Sequence, residues 1–355
     1  MDLNLKNYLT LGRTGLRVSP LCMGAMTFGN QGGWGADEAT SRAIFDAYID
    51  AGGNFVDTAD GYQGGQSEEL TGKFIQDRGL RDQVVLATKF TFNPKPGNPN
   101  AGGNGRKNIY RALEASLRRL KTDYIDLYWL HAWDTVTPVE EVVYTLNDLV
   151  RAGRIRHYGF SDTPAWYVAR AQTIAEKEGK ERVAALQLEY SLVERNIERE
   201  HIPAAQELGI AICPWSPLGG GFLTGKYKRQ GDTGAGDGRL TKGSPFNMFT
   251  ERNWRILEAF LDVAKQLGKT PAQVALNWVA TQPGITSTII GASSLAQLND
   301  NLGSLEFAIP AEARQRLEEA SGVPLVHPYV FFKGMIQNMI HGGVPVKAWS
   351  AAAGR

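Results

Sequence analysis

The chain has 355 residues, 38 of them Lys or Arg and 37 Asp or Glu, for a formal net charge of +1. That balance excludes a protein built to hold nucleic acid or an anionic membrane by bulk charge, and 43% hydrophobic with 21% charged residues is an ordinary folded composition, enough for one large domain or two modest ones. No run approaches the roughly 18 to 20 apolar residues of a membrane span, and the first twenty residues hold no apolar signal segment, so a soluble, cytoplasmic protein is expected.

Residues 8–18, with Gly12 and Gly15 at the turn, read as a β-hairpin. Leu21-Cys22-Met23 is a short strand. Asp37 caps a helix to about Asp50, with Ile44, Phe45, Tyr48 and Ile49 at helical spacing. Gly52-Gly53 ends it, and Phe55-Val56 forms the next strand, stopped by Asp57. Ser67-Glu68-Glu69 opens a second helix that ends near Gly79. A strand over 84–88 is followed by a Pro/Gly/Asn loop, 93–105, and a helix over 108–120. Strand 124–130, helix 138–151 and strand 157–160 come next, then a helix begun by Pro164. Strands 183–188 and 210–214 flank a helix over 201–208. A long glycine-rich loop, 217–250, leads to helices 254–267 and 271–281, strand 286–290 and helix 295–302.

That makes eight strand–helix units between about residues 20 and 303, the length a (β/α)8 barrel requires, about 250 residues. The expected fold is therefore an α/β, (β/α)8 TIM barrel with an N-terminal β-hairpin and long loops on the strand C-terminal face. The rival, a doubly wound open sheet, lacks its Gly-x-Gly-x-x-Gly fingerprint after the first strand. No linker divides the chain, so residues 1–355 read as a single domain. Residues 321–355, with Val330-Phe331-Phe332 and Met335-Ile336, form a tail over the barrel or at a subunit interface. Monomer and homo-oligomer both stay open. Cys22 and Cys213 lie far apart in apolar strands and read as reduced core residues.

Three consecutive strands end in polar groups: Asp57, with Tyr62 just beyond it, Lys89, and His131. In a parallel barrel all strand C-termini share one face, so these four can meet. Alone, each has an ordinary role: a cap, loop packing, a salt bridge, a core histidine. Together they suit proton delivery to a carbonyl, with no metal required. A phenol is a poor acid, with a free pKa near 10, and a nearby ammonium makes its proton easier to give. A carboxylate holds the ammonium, and a neutral imidazole donates a hydrogen bond to the carbonyl oxygen. Lys89 as a Schiff-base nucleophile is the alternative chemistry, and the Asp57/Tyr62 pairing does not call for it. Gly220-x-x-x-x-Gly225-Lys226 matches most of a nucleotide-binding P-loop, but Tyr227 stands where Ser or Thr is needed, which excludes that reading.

Asp57-Thr58-Ala59-x-x-Tyr62, followed by Gly65-x-Ser67-Glu68-Glu69-Leu70-x-Gly72, resembles the signature of the aldo-keto reductases. Thr88-Lys89, Leu130-His131, Gly159-Phe160-Ser161 and Trp215-Ser216-Pro217-Leu218-Gly219-x-Gly221-x-Leu223-x-Gly225-Lys226 extend the resemblance over most of the chain. It implies a barrel, a nicotinamide coenzyme bound without a Rossmann fold, and reduction of a small-molecule ketone or aldehyde, or the reverse oxidation. By the same resemblance Tyr62 is the acid, Lys89 and Asp57 tune it, and His131 orients the carbonyl.

The resemblance also assigns coenzyme contacts to Gly24, Ala25, Met26 and Asp57, to Ser161, Asp162 and Gln187 at the carboxamide, and to Trp215 on the nicotinamide ring. Ser216, Pro217, Leu218, Gly219 and Gly221 are further coenzyme contacts by the same resemblance, and Lys226 falls to the diphosphate. Where the family has Asn after the serine this chain has Asp162, which accepts a hydrogen bond but does not donate one unless protonated. Gly291, Ser293, Gln297, Asp300 and Asn301 resemble the adenosine-phosphate segment of the branch that includes bacterial reductases and the potassium-channel β-subunits. No Lys or Arg lies between Ala292 and Asn301, and Arg239 is the candidate to meet a 2′-phosphate. NADP(H) is favoured, with NAD(H) the alternative. A coenzyme-binding regulatory or redox-sensing subunit is the second reading, although the channel-associated relatives have Asn where His131 stands. Phe28, Trp34, Phe90 and Trp133, with Phe92 and Phe249, are the candidate walls for an apolar or ring-shaped substrate.

Overall fold

A computed structural model describes residues 4–230, 233–236, 238–241 and 246–346. The chain divides into two compact units, residues 1–321 and residues 322–355, with the division at the start of the expected tail.

The first unit opens with an antiparallel hairpin, β1 (Leu9–Thr10) and β2 (Arg17–Val18), in which Leu9 faces Val18. Eight parallel strands follow: β3 (Leu21–Gly24), β4 (Phe55–Asp57), β5 (Val85–Phe90), β6 (Ile125–Leu130), β7 (Ile155–Ser161), β8 (Val183–Gln187), β9 (Ala211–Ile212) and, after a two-stranded hairpin of β10 (Lys228–Gln230) and β11 (Thr233–Ala235), β12 (Thr288–Ile290). Their order is β12-β3-β4-β5-β6-β7-β8-β9. The two ends of that sheet meet: the Thr286 and Ile289 amides donate to the Ile212 and Pro214 carbonyls at 2.9 and 2.8 Å. Closure of the ring makes this the (β/α)8 barrel expected from the alternation of elements.

The strands are apolar on both faces because both faces are covered. Phe55, Val85, Ala87, Leu127, Trp129, Ala185, Cys213 and Ile289 belong to one buried cluster. Val56, Leu86, Tyr128 and Leu130, their neighbours in sequence, belong to another, together with Ile44, Phe74, Leu113 and Leu146 of the helices. Period-two alternation thus sorts each strand into an interior set and a set that packs on the helical ring. Both cysteines are free and buried in the interior set.

The helices begin where their caps dictate. Asp37 accepts from the Thr40 amide ahead of helix Glu38–Asp50. Thr250 caps helix Glu251–Leu267, Thr270 and Gln273 form a reciprocal capping box at Pro271–Ala280, and Ser294 caps Leu295–Leu302. The helix expected from residue 254 therefore starts three residues earlier, because Thr250 is its cap. Helix Ala311–Ser321 is absent from the expectation. It buries only Leu317 and Ser321, too little for an apolar period, and is held by polar contacts: Arg195 donates to Ser321 Oγ at 2.7 Å and the Trp278 indole to Glu318 at 2.9 Å. Within the second unit, helix Gly334–Ile340 follows a short turn, and Phe331, Phe332, Met335, Met339 and Ile340 are exposed. No helix among the described residues is long and apolar enough to cross a membrane.

Inside the barrel, Gly159 makes room for its neighbours. A Cβ there would lie 2.4 Å from the Trp129 ring and 2.6 Å from the Ala185 carbonyl oxygen. The carbonyl belongs to the adjacent strand and cannot turn aside. Gly159→Ala is expected to destabilise the protein by about 1–3 kcal/mol through overpacking, read as a lower urea midpoint with an unchanged slope.

Candidate active site

At the C-terminal ends of β4, β5 and β6 the four polar residues converge. Lys89, on β5, is entirely buried, and Asp57, the last residue of β4, is 3% exposed. The Lys89 ammonium forms a buried salt bridge with Asp57 Oδ2, donates to the Thr58 carbonyl at 2.8 Å, and lies 3.4 Å from the Tyr62 oxygen. An ammonium has three protons and no acceptor, so all three of its donor positions are accounted for. Toward Lys89 the Tyr62 oxygen is therefore the acceptor, and its own O–H is left to point elsewhere. The second Asp57 oxygen accepts from the Gln187 amide at 3.1 Å, which ties the pair to β8.

Burial and charge oppose each other here. Burial pushes the Lys89 ammonium down, but Asp57 and Tyr62 push it up by more, so it stays firmly charged. Burial raises the Asp57 carboxyl against the pull of Lys89. Desolvation also raises the Tyr62 phenol, and the opposing effect of Lys89 is smaller. This corrects the expectation that Lys89 leaves the phenol easier to ionise than usual: the lysine acts in that direction, and desolvation outweighs it. Tyr62 keeps its proton at neutral pH. Burial, then the charge of Lys89, lowers the His131 pKa well below the ordinary value, so the imidazole is neutral. Its ring stands edge-on to Tyr62 at 5.7 Å between centroids and to Phe92 at 4.7 Å.

The turn that carries Tyr62 is fixed by polar groups without an assigned role in the sequence reading. Thr58 Oγ1 lies 2.8 Å from Ser67 Oγ, which donates to the Ala25 carbonyl at 2.6 Å, and the Asp60 amide donates to the Lys89 carbonyl. Glu68, entirely buried, accepts from Thr88 Oγ1 at 2.5 Å and from Arg119 at 2.6 Å. Arg119 lies on the helix Arg106–Leu120 and carries no distinguishing motif.

The second group gathers around β7, β8 and the segment after β9. Ser161 pairs in register with Gln187, and the Asp162 amide donates to the Gln187 carbonyl at 3.2 Å. The Trp215 indole donates to Asp162 Oδ1 at 3.1 Å, and Ser161 Oγ to Oδ2 at 3.3 Å. The amide nitrogen of Gln187 is committed to Asp57. Gly24, paired with Asp57, and Ala25 and Met26 continue the rim from β3.

Beyond Trp215, Ser216 Oγ accepts from the Gly220 amide, and the Leu218 carbonyl from Gly221 and Leu223, in a tight turn that begins at Pro217. Gly219, Gly220, Gly221 and Gly225 all have positive φ. A Cβ on Gly221 would lie 3.1 Å from the Lys226 ammonium. Glycines thus leave a concavity that a side chain would fill, closed by a cation, a form that fits a diphosphate. The donor set and cradle fit a nicotinamide dinucleotide. Arg239 acts electrostatically on Tyr62 and Glu189, near the buried polar cluster. In the last segment Ser293 is bonded to Gln297, Asn301 to the Gly291 carbonyl and Asp300 to Thr270, so their side chains shape the loop and helix start.

Two candidate substrate walls are displaced. Phe28 and Phe90 are entirely buried, packed on Phe74 and Tyr128 in the layer between barrel and helices. Phe249 packs among Phe222, Tyr227 and Trp254. Trp34 and Phe92 are exposed, and Trp133 is half-buried against Trp166 and Tyr167. Phe246, against Trp215 at 5.8 Å, is a further aromatic of this rim.

Residues 20–321 match the model of the Aldo/keto reductase family. The chain is 35% identical over 331 residues to an aryl-alcohol dehydrogenase of Pestalotiopsis microspora, covering 91% of this chain and 84% of that protein. It is 39% identical over 322 residues to the uncharacterized oxidoreductase YrpG of Bacillus subtilis, covering 88% and 95%. To the aryl-alcohol dehydrogenase [NADP(+)] of Phanerodontia chrysosporium it is 33% identical over 343 residues, covering 92% and 89%. With its barrel and polar cluster already established, the chain belongs to the aldo/keto reductase family and is an oxidoreductase of carbonyl and alcohol groups.

Proposed function

We propose that this protein is a cytoplasmic NADP-dependent reductase of aromatic ketones or aldehydes, or the dehydrogenase of the corresponding alcohols, with Tyr62 as proton donor. The observation that carries this reading is the hydrogen-bond count at Lys89, which leaves the Tyr62 O–H free while its oxygen is held against the ammonium. As negative charge grows on a substrate oxygen, the phenol donates its proton, and the phenolate left behind is stabilised by Lys89. Asp57 keeps Lys89 charged, and Gln187 keeps Asp57 in place. Neutral His131 donates a hydrogen bond to the same oxygen and fixes the carbonyl plane.

A nicotinamide coenzyme, when bound, supplies the hydride. On this chain the residues that would hold it are Ser161, Asp162, Gln187 and Trp215 around the ring, Lys226 with Ser216, Gly219 and Gly221 at the diphosphate, and the segment from Gly291 to Asn301 at the adenosine. The relative from Phanerodontia chrysosporium, whose name carries NADP(+), supports that coenzyme over NAD, as does the exposed cation Arg239. The aryl-alcohol relatives and the rim of Trp34, Phe92 and Trp133 support an aromatic substrate.

Tyr62→Phe tests the acid. Titration of tryptophan fluorescence should show NADPH affinity close to that of the unaltered protein, while turnover of an aromatic aldehyde falls by about 10²- to 10⁴-fold. Turnover within a few-fold of normal would remove Tyr62 from the role.

Lys89→Met leaves Asp57 buried beside an apolar group. It should destabilise the protein by about 3–5 kcal/mol in urea unfolding, and adding Asp57→Asn should recover part of that loss. Additive losses in the double variant would show that the two do not act as a pair.

A further inference from the structure

Asp162 departs from the asparagine of the family signature, and its surroundings say what the change does. The carboxylate takes one hydrogen bond from the Trp215 indole and one from the Ser161 hydroxyl, a donor to each oxygen. Both donors favour the charged form. The residue is exposed at the cleft, so a ligand can reach it. The charges around it do not cancel it. Lys89 acts on Asp162 but is already paired with Asp57. His131 is neutral. Glu189, an acid that feels the Asp162 charge, is itself opposed by Arg239 and lies in turn against Glu194.

We infer that Asp162 is a redox-selective coenzyme residue: its carboxylate favours the cationic ring of oxidised nicotinamide coenzyme over the neutral ring of the reduced form. The inference rests on the coenzyme assignment proposed above. The oxidised ring carries one positive charge and the dihydro ring none, while both forms share every phosphate and both sugars. A fixed negative charge beside the ring therefore discriminates between them, and an asparagine of the same shape does not. Holding oxidised coenzyme more tightly than reduced shifts the bound equilibrium toward alcohol and slows release of the oxidised product.

The backbone permits a clean test. Asp162 has φ +45, the left-handed region that Asn occupies as readily as Asp, so Asp162→Asn removes the charge without straining the turn. Although solvent reaches the carboxyl, desolvation by the cleft walls pushes it up to about 6, against the Trp215 and Ser161 hydrogen bonds. Its folded pKa lies above the ordinary value, so the charge is present above that pH and lost as the pH falls through it.

The experiment is a fluorescence titration of the full chain and of Asp162→Asn with NADP⁺ and with NADPH, at about pH 8 and about pH 5.5. At the higher pH the variant should lose about tenfold in the affinity ratio of NADP⁺ to NADPH, an effect within reach of one screened charge. Glu189, pushed up to about 7 by burial, Glu194 and Asp162, titrates in this window in both proteins, so the two are compared at each pH. At the lower pH the ratio of the unaltered protein should fall toward that of the variant, closing the gap between them. Phosphate titration affects both coenzymes alike and leaves the ratio untouched. An equal change for both coenzymes, or none, at the higher pH overturns the inference while leaving the coenzyme site intact. Failure of the unaltered protein to bind either coenzyme overturns the proposed function, and this inference with it.

Discussion

The buried pair of Lys89 and Asp57 is the constraint on which the site is built. Both ions are buried, and each would be costly alone in a barrel interior. The protein meets this by surrounding the pair on every side. Thr58 offers a carbonyl, Tyr62 an oxygen and Gln187 an amide from across the ring. These contacts come from β4, the turn after it, β5 and β8. Strand register in the barrel and the charge state of the site are therefore one problem. A barrel that failed to close in this register would leave Gln187 unable to reach Asp57.

The same economy of polar groups holds one layer out. Glu68 is entirely buried on the helix that follows Tyr62, and it is bound by Thr88, the residue before Lys89, and by Arg119 from the next helix. Glu68, held by the half-buried Arg119, thus clamps strand β5 through Thr88 to the turn bearing the phenol. Its position explains why the Ser67-Glu68 segment accompanies Asp57 and Tyr62 in the motif. Ser67 and Glu68 hold the geometry in which Tyr62 meets Lys89, and hydrogen-bond to neither of them.

Much of this was legible in the chain because strand ends are easy to read. Asp57, Lys89 and His131 each terminate an apolar run, and parallel topology brings such ends together. Phe90 shows where the reading stopped short. Side chains alternate along a strand, so if Lys89 turns inward, Phe90 must turn toward the helices, where it packs on Tyr128. That inference was available from period two alone. Phe28 was not available in the same way, since it follows a short helical turn whose direction no periodicity reveals. Helix Ala311–Ser321 leaves little trace in its own sequence because its anchors, Arg195, Trp278 and Arg252, lie far away along the chain. The net direction at Tyr62 escaped for a deeper reason. A motif names the charges near a phenol, but how much solvent the surrounding wall removes is a property of the closed barrel.

Asp162 illustrates how a fold can leave a functional variable free. Its φ of +45 demands a residue that tolerates the left-handed region, and its backbone is fixed by the amide bond to Gln187 and the carbonyl bond to Trp133. Asn and Asp satisfy these demands equally, so the architecture selects the shape of the side chain and is indifferent to its charge. An asparagine amide oxygen can take the Trp215 indole N–H, and the Ser161 hydroxyl, which accepts as well as donates, can take a proton from the amide nitrogen, so neither contact enforces the choice. At Lys89 the reverse holds: burial makes the charge and the fold inseparable, and a change in one is a change in the other. Charge is therefore fixed in the sealed layer of the site and adjustable in the layer open to the cleft, which is where an enzyme of this design can tune its coenzyme without rebuilding its barrel.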